Sequence, residues 1–182
     1  MRIISGSLKG RHIAPPSNGW KTRPTTDRAK EGLFNILHNS FDFESTRVLD
    51  LFAGTGNIGY EFLSRGAIQV DFVERYGACI QFIKQSLSQF QLTDKAVIHQ
   101  TDVFKFVKNC SEKYDLIFAD PPYRLKQSHQ LPDLIFDASL FKSPKACLII
   151  EHDNRLNFEK HTGFAQFRQY GQSGFSFFGP KE

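Results

Sequence analysis

Arg47-Val-Leu-Asp-Leu-Phe-Ala-Gly54-Thr-Gly56-Asn-Ile-Gly59 is the stretch that decides the fold. Its first five residues read as a short buried strand. The Gly-x-Gly-x-x-Gly that follows runs directly into Asn57 to Arg65, which has helical character. Glycine permits a sharp turn there and lets a ligand approach the backbone closely. Strand, glycine turn and helix open a doubly wound α/β sheet. The downstream sequence continues the alternation. Gln69 to Glu74, Ala96 to Gln100, Tyr114 to Ala119 and Lys145 to Glu151 read as strands, and Gly77 to Phe90, Val103 to Lys108 and Gln130 to Ala138 as helices. Helical crossovers make such strands parallel and cover both faces of the sheet. Phe164 to Tyr170 and Gly174 to Phe178, separated by Gly171-Gln-Ser173, predict an antiparallel hairpin added to one edge.

Upstream of the glycine turn the pattern differs. Arg2 to Ser5 and Arg11 to Ala14 flank Gly6 to Gly10 and predict a small β-hairpin. A helix follows, capped by Thr26 or Thr25, with Ala29, Leu33, Phe34, Ile36 and Leu37 as its apolar stripe. Residues 1 to 30 hold seven basic side chains against Asp27 alone, a local charge of +6, whereas the other 152 residues sum to −2. An arm of this kind suits nucleic-acid phosphates, the bland alternative being a solvated flap. The expected organisation is a basic hairpin and helix over residues 1–45 and a catalytic domain over 46–182.

Composition narrows the class. With 182 residues, 40% hydrophobic and 23% charged, the chain fits one globular unit, and no apolar stretch nears the roughly 20 residues of a membrane helix. Met1 to Ser7 lacks the apolar core and cleavage site of a secretory signal, so a cytoplasmic location is expected. Cys79, Cys110 and Cys147 are odd in number and form no Cys-x-x-Cys pair, and there is no His-Glu-x-x-His; reduced thiols and no bound metal are expected.

Glu74 ends the second strand 20 residues after Gly54, where a carboxylate can accept both hydrogen bonds of a ribose diol. A turn lined by Phe52, Ala53, Gly54 and Gly56, with Glu74 beside it, serves NAD or S-adenosylmethionine (AdoMet) equally. Asp50 favours AdoMet, because a carboxylate at the turn entrance suits an ammonium and a sulfonium but repels a pyrophosphate. Asp102, after the third strand, can take an adenine amine while the Val103 main chain meets the ring. A helix N-cap is the competing reading for Asp102, and one residue can do both.

Asp120-Pro121-Pro122-Tyr123 follows the fourth strand, at the ligand crevice of an open α/β sheet. The prolines stiffen the backbone and leave carbonyl oxygens as acceptors. An exocyclic base amine is a weak nucleophile because its lone pair is delocalised. The Asp120 carboxylate and the Pro121 carbonyl, accepting its N–H bonds, would localise that lone pair, and Tyr123 offers a stacking face. The plain alternative, an Asp-Pro turn, leaves the register with Gly54 and Glu74 unexplained. An NAD oxidoreductase would leave the tetrapeptide without a purpose, and a non-catalytic RNA-binding assembly factor would not require it.

Arg2-Ile-Ile-Ser-Gly-Ser-Leu-Lys-Gly-Arg11, Thr22-Arg-Pro-Thr-Thr-Asp-Arg28, Val48 to Gly59 with Ser64-Arg-Gly-Ala67, and the tetrapeptide together resemble the bacterial RsmD-type enzymes. These are class I AdoMet-dependent methyltransferases acting on N2 of a guanine in 16S ribosomal RNA. The resemblance implies a seven-stranded, mostly parallel Rossmann-like sheet, AdoMet as cofactor, and ribosomal RNA or a small-subunit particle as partner; a monomer is the simpler expectation for an enzyme that must approach such a particle. It implies cofactor roles for Asp50, Ala53, Gly54, Gly56, Glu74 and Asp102, and catalytic roles for Asp120, Pro121, Pro122 and Tyr123. Arg2, Lys9, Arg11, Arg23, Thr25 and Arg28 are the candidate RNA contacts. Asn57 and Tyr60 depart from what relatives often carry. Asp-Pro-Pro-Tyr also occurs in adenine-N6 methyltransferases, so the tetrapeptide alone leaves the target base open.

Overall fold

The computed structural model describes residues 1–15, 25–153 and 155–180. Five strands alternate with helices as the sequence predicts: β1 (Arg47–Leu51), α2 (Asn57–Ser64), β2 (Gln69–Glu74), α3 (Gly77–Gln89), β3 (Ala96–Gln100), α4 (Val103–Asn109), β4 (Leu116–Ala119), α5 (Leu131–Asp137) and β5 (Cys147–His152). Helix α1 (Asp27–His38) precedes them, and β6 (Phe164–Tyr170) and β7 (Ser173–Phe178) close the chain. The seven strands form one sheet in the order β3-β2-β1-β4-β5-β7-β6. β1 to β5 pair in parallel, while β7 lies antiparallel between β5 and β6. Among the described residues, no helix is long and apolar enough to cross a membrane.

Strand alternation divides the core in two. Val48, Val70, Phe72, Leu116, Phe118 and Ile149 face α1, α2 and α3, whereas Leu49, Leu51, Val73, Ile117, Ala119, Leu148 and Ile150 face α4 and α5. This double burial explains why the parallel strands read as continuous apolar runs. Tyr114, expected within the fourth strand, precedes it. Its amide donates to Leu140, and its hydroxyl donates to Asp71 Oδ2 at 2.9 Å.

The expected N-terminal hairpin is reduced to a single antiparallel bridge, Arg2 with His12. Ile3 still exchanges backbone bonds with Arg11 and Gly10, and Met1 with Ile13, but residues 4 to 8 do not extend the ladder because they bond to α2 instead. The Ile4 and Ser5 amides donate to Glu61 at 2.8 and 3.0 Å, the Leu8 amide to Ser64 Oγ, and the Ser7 amide to the Ser64 carbonyl. Ile3 and Ile13 are buried in the same cluster as α1 and α2. Thr26 caps α1 by accepting from the Ala29 amide at 3.2 Å. Lys30, on the expected apolar face, is buried with Ala29, Leu33, Phe34 and Leu37. It donates to the Arg2 carbonyl, to Asn57 Oδ1 at 3.0 Å, and pairs with Glu61 at 3.3 Å. Gly32 sits under the Tyr170 ring, where a Cβ would lie 2.3 Å from it. Here absence of a side chain is a packing requirement, and it joins α1 to the last hairpin.

The cysteines are free thiols. Burial pushes Cys79 up to about 11 and Cys147 up to about 12, so both stay protonated.

Candidate active site

The site lies where the parallel strands end. Phe52 leaves β1 with φ of 58°, in the left-handed region that a bulky residue rarely occupies, and Gly54 (54°) and Gly56 (80°) continue the turn. The Gly56 amide donates to the Ala53 carbonyl at 2.7 Å, closing the loop before α2. Gly56 precedes α2 without a side-chain cap. A Cβ there would press on the Tyr60 ring at 2.7 Å, so the buried Tyr60 and the bare Gly56 fit each other.

Four carboxylates stand on successive strands of one sheet face. Asp50 follows Leu49, Glu74 follows Val73, Asp120 follows Ala119 and Glu151 follows Ile150, each of which points to the α4 and α5 side. By alternation all four acids therefore project toward the α1, α2 and α3 side, in the order Glu74, Asp50, Asp120, Glu151 across β2, β1, β4 and β5. Register puts Asp50 opposite Phe72 and Phe118, two positions deeper than Glu74 and Asp120.

Each acid is held differently. Glu74 Oε2 accepts from the Gly54 amide at 3.0 Å, and Oε1 accepts from the Arg75 and Tyr76 amides at 2.8 and 2.9 Å. This clamps its carboxylate over the glycine turn. Asp50 Oδ2 accepts from the Gly59 amide at 3.0 Å, but burial outweighs that bond and, with Glu74 nearby, pushes its carboxyl up to about 7. Asp120 is raised well above the usual carboxylate range, first by burial and then by the charges of Glu151 and Asp50. Glu151 is buried and accepts from Thr25 Oγ1 at 2.7 Å. Among the described residues no ion pair engages Asp50, Glu74 or Asp120. A row of crowded, partly desolvated acids is complementary to a cationic ligand and hostile to a phosphate.

Pro121 is buried, while Pro122 and Tyr123 are exposed, Tyr123 by 44%. Arg155 stands 5.8 Å over that ring and also pairs with Asp153. Behind the tetrapeptide, His152 shares a 2.7 Å hydrogen bond with Ser176 Oγ, and burial lowers its basicity. Asp102 caps α4, accepting from the Phe104 and Lys105 amides at 3.0 and 3.1 Å, and its exposed carboxylate is left near the crevice mouth. Val103 is buried against the second core.

The sequence-predicted residues thus divide. Asp50, Phe52, Ala53, Gly54, Gly56, Glu74, Asp120, Pro121, Pro122 and Tyr123 gather at the strand ends. Among the basic candidates, Lys9, Arg11 and Arg28 are exposed, and Arg2 is exposed but pairs with Asp27 at 3.1 Å. Arg23 lies outside the described residues. Thr25 is buried against Glu151 rather than presented on the surface. Glu151 is the site residue that sequence reasoning missed; its signal is an acid ending an otherwise apolar strand, one residue beyond the position paired with Ala119.

Relatives agree with this architecture over nearly the whole chain. Ribosomal RNA small subunit methyltransferase D of Haemophilus influenzae is 32% identical over 184 residues, covering 93% of each chain. Bacillus subtilis YlbH is 35% identical over 180 residues, covering 96% of each. The solved structure of Escherichia coli yhhF superposes with a TM-score of 0.84 at 26% identity, covering 98% of this chain and 97% of that one. Residues 1–179 match the family described as Conserved hypothetical protein 95, and with these relatives that match shows that the chain belongs to the RsmD-type methyltransferase family.

Proposed function

We propose that the protein transfers a methyl group from AdoMet to the exocyclic N2 amine of a guanine in small-subunit ribosomal RNA. The observation that carries this reading is the position of Asp120 to Tyr123, directly beside the clamped glycine turn and within the acidic row. Glu74 would hold the ribose hydroxyls, Asp50 and the Gly54 to Gly56 turn the methionine end, and Asp102 and Val103 the adenine. The acidic row fits this cofactor because it meets a sulfonium and an ammonium, whereas a dinucleotide would bring a pyrophosphate to the same place. AdoMet, when bound, supplies a methyl group activated by the positive sulfur.

The remaining chemistry belongs to the chain. Tyr123 would stack the base. Asp120 and the Pro121 carbonyl would accept the two amine N–H bonds and so free the nitrogen lone pair, which forms the new C–N bond. The methylated nitrogen is then acidic, and Asp120, whose proton affinity is raised by burial and by Glu151 and Asp50, is suited to take its proton. Positioning and electrostatics carry the rate, with no covalent enzyme intermediate. Lys9, Arg11 and Arg28 would meet RNA phosphates, making residues 1–45 the RNA-contacting extension.

The test is direct. Purified protein, methyl-labelled AdoMet and small-subunit particles from cells lacking the gene should yield label in RNA, and nuclease digestion with mass spectrometry should show N2-methylguanosine. Label in N6-methyladenosine, or none, would overturn the reading.

Asp50 gives a second expectation. In the ligand-free protein its carboxyl holds a proton up to about pH 7, against an ordinary 3.8. A cation bound beside it favours the ionised form, so binding lowers that pKa and expels the proton. AdoMet affinity should weaken as pH falls below 7, by at most about tenfold per pH unit for one proton. Asp50→Asn should flatten this profile. Calorimetry in buffers of different ionisation enthalpy reads the proton release, and an identical release in Asp50→Asn would remove Asp50 from the account.

A further inference from the structure

The rim of the crevice carries cations that the chemistry assigned above does not use. The Leu125 amide donates to the Pro122 carbonyl at 2.8 Å, closing a turn whose tip is Tyr123 and Arg124. A short 3-10 helix, Lys126–Gln130, follows at once. Its Ser128 is buried, and the Ser128 hydroxyl and amide both donate to the Leu125 carbonyl, at 2.8 and 3.1 Å. The loop is thus shaped by its own bonds, and Arg124 and Lys126 are left exposed. Among the described residues, no ion pair or side-chain hydrogen bond engages either of them. Between Asp120 and Asp133 the sequence contains no acid to offset their charge.

Beyond β5, Arg155 and Leu156 add to the same rim, sharing a cleft with Leu125 and Ser128. Arg155 lies over the Tyr123 ring, and Asp153 holds it through Nε at 2.8 Å and through a second guanidinium nitrogen. A guanidinium has five N–H donors, so a carboxylate that takes two leaves others for an incoming anion. The Arg155 side chain is 63% exposed, which lets an anion reach it from solvent.

These cations lie across the crevice from the basic arm. Ile3 and Ile13 seat the arm in the core cluster of α1 and α2 on one sheet face, whereas Leu131 and Ile135 of α5 lie in the cluster on the other, with Leu156 packed against it. Asp120 to Tyr123 stands between the two groups. The acidic row admits a flat, uncharged base but repels the phosphates attached to it, so an RNA strand must be gripped by its backbone outside that row. A nucleotide stacked on Tyr123 carries its phosphates past the tip of this turn. We propose that Arg124, Lys126 and Arg155 form a second RNA phosphate-binding site, opposite the arm, which holds the backbone flanking the target nucleotide. The inference rests on the methyl-transfer reading above and adds to it the lip of the crevice that grips the strand.

Phosphate contacts show in the salt dependence of binding. For single-stranded nucleic acid each neutralised phosphate contributes about 0.7 to the slope of log K against log salt. The triple variant Arg124→Gln, Lys126→Gln, Arg155→Gln should therefore lower the slope by about 2 for a fluorescein-labelled oligouridylate, read by fluorescence anisotropy. At 0.1 M salt it should bind about 10²-fold more weakly than wild type, and the difference should vanish toward 1 M. Lys95, Lys108 and Lys145 provide the control, being exposed just before β3, in the last turn of α4 and just before β5, at the opposite ends of the strands. Changing these three to Gln removes the same charge and should leave the slope as it is. With small-subunit particles as substrate, the rim variant should raise KM and keep kcat within a few-fold, since the crevice acids are untouched. A wild type that fails to bind the oligonucleotide at about 50 mM salt, a slope unchanged in the rim variant, or one lowered equally by the control set overturns the proposal. Weaker binding to particles with none toward the oligonucleotide would assign the rim to a protein surface and overturn it likewise. A wild type that shows the expected slopes yet methylates nothing would uphold the site and overturn the functional reading instead.

Discussion

Asp120→Ala should lower methyl transfer roughly 10³-fold, comparable to removing a group that stabilises charge only in the transition state, and should leave AdoMet affinity within a few-fold of wild type. Its carboxylate is assigned to the amine, whereas Glu74, assigned to the cofactor, is fixed by the Gly54, Arg75 and Tyr76 amides through bonds that do not involve Asp120. Asp120→Asn keeps one oxygen acceptor and should lose less. Stability should move the other way. Asp120 ionises well above the ordinary 3.8 in the folded chain, so above pH 4 the folded state binds more protons than the unfolded one, and its stability falls as pH rises toward the folded value. Removing the acid removes that cost. At pH 7.5 the alanine variant should melt no lower than wild type by calorimetry, which separates lost chemistry from lost structure. Retained single-turnover methylation would remove Asp120 from its role.

Glu61→Ala should be the most destabilising of the substitutions considered. The Glu61 side chain is 0% exposed and engages four donors: Lys30 Nζ at 3.3 Å, Arg65 Nε at 2.9 Å, and the amides of Ile4 and Ser5 at 2.8 and 3.0 Å. Its loss strands a buried ammonium whose basicity burial already lowers, together with two amides. Breaking a buried pair in this way typically costs about 3 to 5 kcal/mol. Urea unfolding should report a loss of that order, and proteolysis within residues 1–15 should accelerate because their anchor on α2 is gone. The double variant Lys30→Met, Glu61→Leu should recover part of the loss, since it removes the stranded charge but not the unpaired amides. A double variant less stable than Glu61→Ala would show that the ion pair itself, rather than the penalty of orphaning Lys30, dominates.

The central sheet was legible because its strands are buried on both faces and bounded by glycine turns and acids. β1, β2 and β3 carry the predicted limits, since nothing in the tertiary structure competes with their local pattern. The glycine turn and the tetrapeptide were legible for a chemical reason: few residue types serve a close ligand approach or a rigid acceptor loop. What was hidden depends on partners distant in sequence. Lys30 reads as a solvated lysine until Glu61 and Asn57 are brought to it. Arg2 to Ala14 reads as a longer hairpin than the short one that forms, because the sequence does not show that α2 will accept the amides of Ile4 and Ser5. Thr25 reads as a surface residue until Glu151, 126 positions later, accepts its hydroxyl.

That last separation, together with Tyr170 lying over Gly32, bears on how the molecule is made. The first helix packs early on α2 but completes its seat against the last strands, so nearly the entire polypeptide must be synthesised before the Thr25 and Gly32 contacts can form. The glycine turn, built from β1 and β2 and the loop between them, has its parts available much earlier during synthesis. A nascent chain would acquire its glycine turn first and the anchoring of its opening helix on the closing hairpin last.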